Sequence, residues 1–397
     1  MILASGCADE SIDPNPRLQI MSSMDALNVT LKGSAEAPKG EINKMLIEWG
    51  DDQVDQLTNI DFSNIEITHL YDLPGSYSIT STAINNAGDS SSMTITVDIN
   101  YRETSLENIK SGLIKMSDKE YLILTINLHT YQESQQNEKL NMIVDVIGQL
   151  EVDFIALQEC GQNKSSPILS GIIREDNMAM ILANRVKEKY NADYNFVWNW
   201  AHLGWDVWEE GVAILSKHPL VDTDERYISS NTSTQSITSR KVIYGSYQLE
   251  TDKINIFSAH THWRTTETDE EHNNQIGNIK SMVEEKKALA VDATSFVCGD
   301  FNVNPTSDYP WSEGYHTMME NNDYQDTFLE IYPDANNRPA KSIYNTVGGS
   351  FPGRIDYIFM NENSRYQVSE SQIIFTSSVV GKVSDHFGVL TKIVDSN

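Results

Sequence analysis

The sequence predicts an α/β layered sandwich preceded by a separate, smaller all-β module. Three observations carry that expectation. Beyond residue 118, short apolar runs alternate with segments whose apolar residues recur at helical spacing, as strands alternating with helices do. Between residues 17 and 101 only short alternating runs occur, separated by turn residues. Residues 102–117 are polar and read as a linker between the two regions.

Residues 1–16 read as a tether. Met1-Ile2-Leu3-Ala4-Ser5-Gly6-Cys7 resembles the end of a bacterial lipoprotein signal, where small residues precede the cysteine that takes the lipid. The polar run after Cys7 suits a flexible connection. The expectation is a lipid anchor at Cys7 and a cell-envelope (periplasmic or surface) or secreted location. The plainer alternative is a disordered N-terminus with a chance cysteine.

In 17–101 the alternating runs are Ala26–Leu31, Met45–Trp49 and Ser92–Val97. Trp49-Gly50-Asp51-Asp52 is followed by His69-Leu70-Tyr71, then Pro74-Gly75-Ser76-Tyr77. This combination resembles a PKD-type immunoglobulin-like domain. The resemblance implies a spacer or a module for contact with a glycan or a protein.

The large domain, 118–397, opens with the strand Tyr121–Ile126. Leu140, Ile143, Val144 and Ile147 then have helical spacing, and the strand Phe154–Leu157 follows. Helices are expected over about Met178–Tyr190 and Asn274–Ala290. Strands are expected at Ile254–Ala259 and Ser295–Cys298.

Bulk properties narrow the function classes. The formal charge of -28 opposes a broad phosphate-tracking surface of the kind nucleic-acid binders use. It leaves room for a nuclease whose metal supplies the local positive charge. No segment approaches the roughly 18–20 apolar residues of a membrane helix. Cys160 and Cys298 fall in apolar runs and read as buried small hydrophobes, with a disulfide between them the less favoured reading. No zinc-type cysteine spacing occurs.

The informative stretch is Val297-Cys298-Gly299-Asp300-Phe301-Asn302, read with Ser384-Asp385-His386. Asp300 and Asn302 lie two apart, so on an extended chain they project to one side. Carboxylates hold a hard cation, and an imidazole moves a proton or stabilises an oxyanion. Further pieces occur in a fixed order: Thr125-Ile126-Asn127-Leu128, Ile155-Ala156-Leu157-Gln158-Glu159, Glu210-Gly211-Val212-Ala213-Ile214-Leu215-Ser216, Thr261-His262-Trp263 and Arg354-Ile355-Asp356-Tyr357-Ile358-Phe359. Together they resemble the endonuclease/exonuclease/phosphatase superfamily, which includes deoxyribonuclease I. The resemblance covers roughly residues 118–394. It implies two packed β-sheets flanked by helices, and a divalent-metal-dependent hydrolase of phosphoester bonds.

The resemblance also implies roles. Glu159 is expected to bind the cation, with Asn127 and Asp385 as further metal-site ligands. That set is all oxygen, which suits Mg²⁺ or Mn²⁺ rather than zinc. Asp300 and Asn302 would orient the attacking water and the phosphate. His386 would stand beside the scissile phosphate with Asp356 as its carboxylate partner. His262 is expected to be the second histidine at the phosphate. His260 shares its side of the strand and is a neighbour or substitute.

Trp198, Trp200, Trp205 and Trp208 fall within eleven residues. They read as core or loop packing, or as a platform beside the site for a ring or a lipid headgroup. In the second reading Trp205, Trp208, Glu210 and His260 bind substrate, with His202 and Asp206 nearby. His129 and His218 read as structural or exposed. Three function classes stay open. They are a phosphodiesterase for a small, lipid-linked or glycan phosphate, an extracellular nuclease, and a non-catalytic binding protein on this scaffold. The chain is expected to act as a monomer.

Overall fold

The computed structural model describes residues 13–25, 28–71, 75–99, 104–250, 252–263, 270–290, 293–305, 312–337, 343–348, 352–362 and 364–396. Cys7, on which the lipid-anchor expectation rests, lies outside them. The chain divides into two compact units, Met1–Glu103 and Thr104–Asn397.

In the first unit a three-stranded sheet (Arg17–Asp25, Asn28–Glu36, Ile65–Leu70) and a four-stranded sheet, in the order Val54–Thr58, Ile42–Glu48, Gly75–Asn85, Ser90–Ile99, enclose one core. The alternation of the sequence reappears as alternating burial, as period-two side chains require. The Trp49-Gly50-Asp51 turn is a packing device. The buried Trp49 stacks on His69 at 4.6 Å and its indole N–H donates to Asp55 at 2.9 Å. Tyr71 donates to the Trp49 carbonyl at 2.7 Å.

The second unit has two six-stranded sheets. One runs in the order Asn195–Gly204, Trp208–Ser216, Phe154–Asn163, Glu120–Asn127, Gly388–Asp395, Tyr366–Ile374. The other runs Leu220–Tyr227, Lys241–Gln248, Lys253–His260, Thr294–Asp300, Asp356–Asn361, Tyr324–Asp326. Their facing sides share a core that includes Phe154, Ile214, Ile256, Phe296 and Ile358. Helices Gln136–Leu150 and Met178–Tyr190 cover the outside of the first sheet, and Glu270–Leu289 covers the second. The family-type two-sheet sandwich is therefore present.

Each sheet contains one parallel pair: Glu120–Asn127 with Phe154–Asn163, and Lys253–His260 with Thr294–Asp300. A parallel pair needs a crossover, and a helix supplies it in both cases. Asn127, His260 and Asp300 are the last residues of their strands, and Glu159 stands beyond the parallel register of its own. Gln158 joins the sheets just below that end, donating to Ser258 at 3.0 Å, while Ser258 donates to the Leu157 carbonyl at 2.9 Å. Cys160 and Cys298 are free, buried thiols.

The segment read as a polar linker, 102–117, belongs to the large unit from Thr104 onward. Ile109 and Leu113 are buried in its core, Thr104 donates to Asp145, and Asn108 donates to the Ser378 carbonyl. Two apolar side chains among polar ones sufficed to dock it. A chain starting at Thr104 is therefore expected to fold alone. One starting at Asp118 forfeits two buried aliphatic side chains, about 3–6 kcal/mol in all. Thermal midpoints of the two truncations check this, and equal midpoints would show that the segment contributes nothing.

Candidate active site

The site is assembled at one end of the sandwich, where backbone geometry re-aims the side chains. Glu159 has φ +43°, and the pairing of its strand with Trp208–Ser216 shifts register between Gly211 and Ala213. Such a bulge turns a side chain out of the regular alternation. Asn302 has φ +48° and Gly299 φ +148°. A Cβ at Gly299 would lie 1.9 Å from the Ala259 carbonyl oxygen, so only glycine lets these two strands approach before Asp300.

Seven side chains meet there. The Asn127 amide donates to Glu159 Oε1 at 3.0 Å and to Asp300 Oδ2 at 3.1 Å. Its own oxygen accepts the His129 N–H at 3.0 Å. His260 Nε2 is 3.6 Å from Asp300 Oδ2 and 3.9 Å from Glu159 Oε1. His386 Nε2 is 3.8 Å from the same Asp300 oxygen, and its Nδ1 is 3.0 Å from Asp356 Oδ2. Asp300 Oδ1 accepts the Asn302 N–H at 2.9 Å. The Asn302 amide donates to the Thr261 carbonyl at 3.0 Å and lies 3.3 Å from His260 Nε2.

Burial sets the charge states. It pushes the Glu159 carboxyl up to about 8, with the nearby Glu210 charge adding to the effect. Asp300 is pushed up to about 7 by burial and by Asp356, which pairs with it across the strands. The histidines diverge. Burial, then the Arg240 charge, holds His260 well below its ordinary value. Burial would also lower His386, but Asp356 and then Asp300 outweigh it and hold it well above. One imidazole is thus kept neutral and the other charged, within reach of one carboxylate oxygen.

This donor set fits a divalent cation. Glu159, His260 and Asp300 each offer one ligand atom, all within 4.8 Å of one another. His260 Nε2 lies 3.6 Å from an Asp300 carboxylate oxygen and 3.9 Å from one of Glu159, so in the unprotonated state its lone pair can join theirs on one cation. Without positive charge between them the two buried carboxyls resist ionisation, which is why both are raised. The cluster differs from the oxygen-only set expected from sequence by its imidazole, which admits Mn²⁺ and other nitrogen-accepting ions beside Mg²⁺.

Other expected residues fall differently. Asp385 is half exposed and stands 3.5 Å from His129 Nδ1, in a separate group with Glu133. His262 lies beside Trp263, with ring centroids 4.2 Å apart, and its backbone N–H donates to Gln275. Glu210 is buried, 3.1 Å from His202 Nε2 and accepting from Thr130 at 2.9 Å. It faces protein rather than an opening. The tryptophans divide: Trp198 is buried and donates to the Cys160 carbonyl, Trp208 stacks on Tyr131 at 4.7 Å, and Trp205 is exposed.

Arg240 was not legible. It is buried, donates to the carbonyls of Ile237, Ser239 and Thr261, and lies 5.6 Å from the Trp263 ring centroid. Glu210, Glu159 and Asp300 act on it electrostatically. No local pattern around Ser239-Arg240-Lys241 signals this, because the neighbouring carboxylates come from three other strands.

Comparison with known proteins bears on the fold. Residues 124–386 match the Endonuclease/Exonuclease/phosphatase family. A protein of that family from Leptotrichia buccalis has a similar structure, with TM-score 0.59 and 27% identity over 69% of this chain and 99% of that one. One from Bacteroides thetaiotaomicron has TM-score 0.50 and 15% identity over 69% and 95%. The human Nocturnin catalytic domain, solved with bound sulfate, has TM-score 0.51 and 15% identity over 70% and 95%. No curated protein matches.

Proposed function

Because the chain belongs to the endonuclease/exonuclease/phosphatase family, whose members are in general metal-using hydrolases of phosphoester bonds, we propose that it is a divalent-metal-dependent phosphodiesterase. Its substrate is a small, lipid-linked or glycan phosphate. The observation that carries this reading is the convergence of Glu159, His260 and Asp300 on one point beside His386, which Asp356 holds at Nδ1.

Glu159, Asp300 and His260 would hold the cation, which when bound supplies positive charge against the phosphoryl oxygens. The chain's own groups do the rest. Asn302 has an amide at the mouth of the cluster that can hold a phosphoryl oxygen or the attacking water. His386 presents a protonated Nε2, able to stabilise developing negative charge and to give a proton to the departing oxygen. Asp356 fixes its tautomer by accepting from Nδ1. The net charge of -28 disfavours a long polyanion as substrate.

The test is a panel with Mg²⁺ or Mn²⁺: bis-p-nitrophenyl phosphate, DNA, RNA, sphingomyelin and sugar phosphates. Diester hydrolysis should vanish in EDTA and return with either ion. Hydrolysis that persists in EDTA would defeat the metal reading, and strong preference for DNA or RNA would move the protein to the nuclease class.

A further inference from the structure

We propose that Arg240 is a further substrate-binding residue, whose Nη2 takes a non-bridging oxygen of the phosphodiester beside Asn302. This deepens the phosphodiesterase reading and rests on it for the identity of the ligand.

Arg240 stands immediately before the strand Lys241–Gln248 and is only 4% exposed. Its hydrogen bonds go to backbone carbonyls. Nη1 donates to that of Ile237 and, at 3.2 Å, to that of Ser239, and it lies 3.3 Å from His202 Nδ1. Nε donates to the Thr261 carbonyl at 3.3 Å. Among the described residues Nη2 has no acceptor, and no carboxylate pairs with the guanidinium directly.

That state is costly for a purely structural side chain. A guanidinium keeps its charge in a protein. A buried charge without a counter-ion is among the most expensive groups to remove from water. The carboxylates of Glu210, Glu159 and Asp300 act on it only from farther away. Three carbonyls need donors rather than a full charge. What the cation lacks is an anion, and the nitrogen with no acceptor is the place for one.

The position suits a phosphate. The Thr261 carbonyl accepts both from Arg240 Nε and, at 3.0 Å, from the Asn302 amide, so the two donors are neighbours on one oxygen. Thr261 directly follows His260, which faces Asp300 and Glu159. The guanidinium carbon also lies 5.6 Å from the ring centroid of Trp263, a residue 41% exposed. The cation is therefore near both an exposed ring and the amide assigned to the phosphoryl oxygen or water.

The donor is fixed in advance. With Nε and Nη1 bonded, the planar guanidinium holds Nη2 in one direction. Such a donor loses little rotamer freedom when an anion arrives. Arginine also matches the oxygens of a phosphate better than a lysine does.

The experiment compares the full-length parent with Arg240→Ala and Arg240→Lys, all in Mg²⁺. Titration calorimetry measures binding of inorganic phosphate, and hydrolysis of bis-p-nitrophenyl phosphate is followed alongside. Arg240→Ala should bind phosphate roughly ten- to a hundredfold more weakly and lose kcat/KM by the same order, the scale of one hydrogen bond between charged groups. Lysine keeps a positive charge at the buried position but not the Nη2 donor. Arg240→Lys should therefore fold even where the alanine variant does not, and should still bind phosphate more weakly than the parent. Phosphate affinity equal to the parent's in the folded variants overturns the proposal, as does a parent that binds no phosphate. A loss of turnover with phosphate affinity unchanged also overturns it, because Arg240 would then act only by holding the Thr261 carbonyl. A parent that binds phosphate through Arg240 yet hydrolyses no diester overturns the phosphodiesterase reading instead.

Discussion

Glu159→Gln is expected to lower metal-dependent phosphodiester turnover by at least about a hundredfold, the scale of losing one main electrostatic contact at a developing charge. The same change should stabilise the metal-free fold at alkaline pH. Burial, then Glu210, raises the folded value of Glu159 from 4.5 to about 8. An acid raised in this way binds its proton more tightly folded than unfolded. Stability is therefore unpenalised below about 4.5, falls as the pH rises through the window up to about 8, and is lowest above it. Glutamine has no charge to bury, and its oxygen can still accept from Asn127. In EDTA the variant should melt above the parent near pH 9, by a difference worth a few kcal/mol, and close to it near pH 4. Calorimetry across that range, with turnover measured alongside, checks both halves. A variant that keeps the parent's metal-dependent rate, or melts below it at alkaline pH, would remove Glu159 from the centre.

The strands that end in the site were legible because each is an apolar run that stops at a polar residue. Asn127 and Asp300 stand at such stops, whereas Asp356 opens its strand and follows only from the family resemblance. The choice between His260 and His262 was not legible from period-two alternation, which puts both on one side. The structure distinguishes them by register: His260 is the last paired residue of its strand and lies opposite Asp300, whereas His262 falls beyond the pairing. Asp385 shows a similar limit. Its adjacency to His386 in sequence suggested a shared centre, but consecutive side chains diverge, and Asp385 faces His129 while His386 faces Asp356. The bulge at Glu159 was hidden because a left-handed glutamate leaves no trace in composition.

Asp356→Asn should lower turnover by about 10²–10⁴-fold, the range for a disabled general acid, and should shift the alkaline limb of the pH–rate profile toward acid. Asp356 is fully buried and both its oxygens lie within hydrogen-bond reach of His386 Nδ1, at 3.0 and 3.2 Å. Burial alone would drive the His386 proton off; Asp356, then Asp300, retain it. Asparagine keeps an acceptor oxygen but removes the charge, so the limb should move by about 1–3 pH units, the usual effect of one close opposite charge. The linkage has a definite sign. A histidine raised on folding contributes stability that is complete below about 6.5 and is lost as the pH rises through its folded value. The loss of thermal midpoint in Asp356→Asn should therefore be larger at pH 6 than at strongly alkaline pH. His386→Gln separates the possible origins of the limb, because it leaves nothing at that position to titrate. If the limb survives in His386→Gln, or stays in place in Asp356→Asn, the proton that matters is held elsewhere, and His260 with Arg240 behind it becomes the group to test.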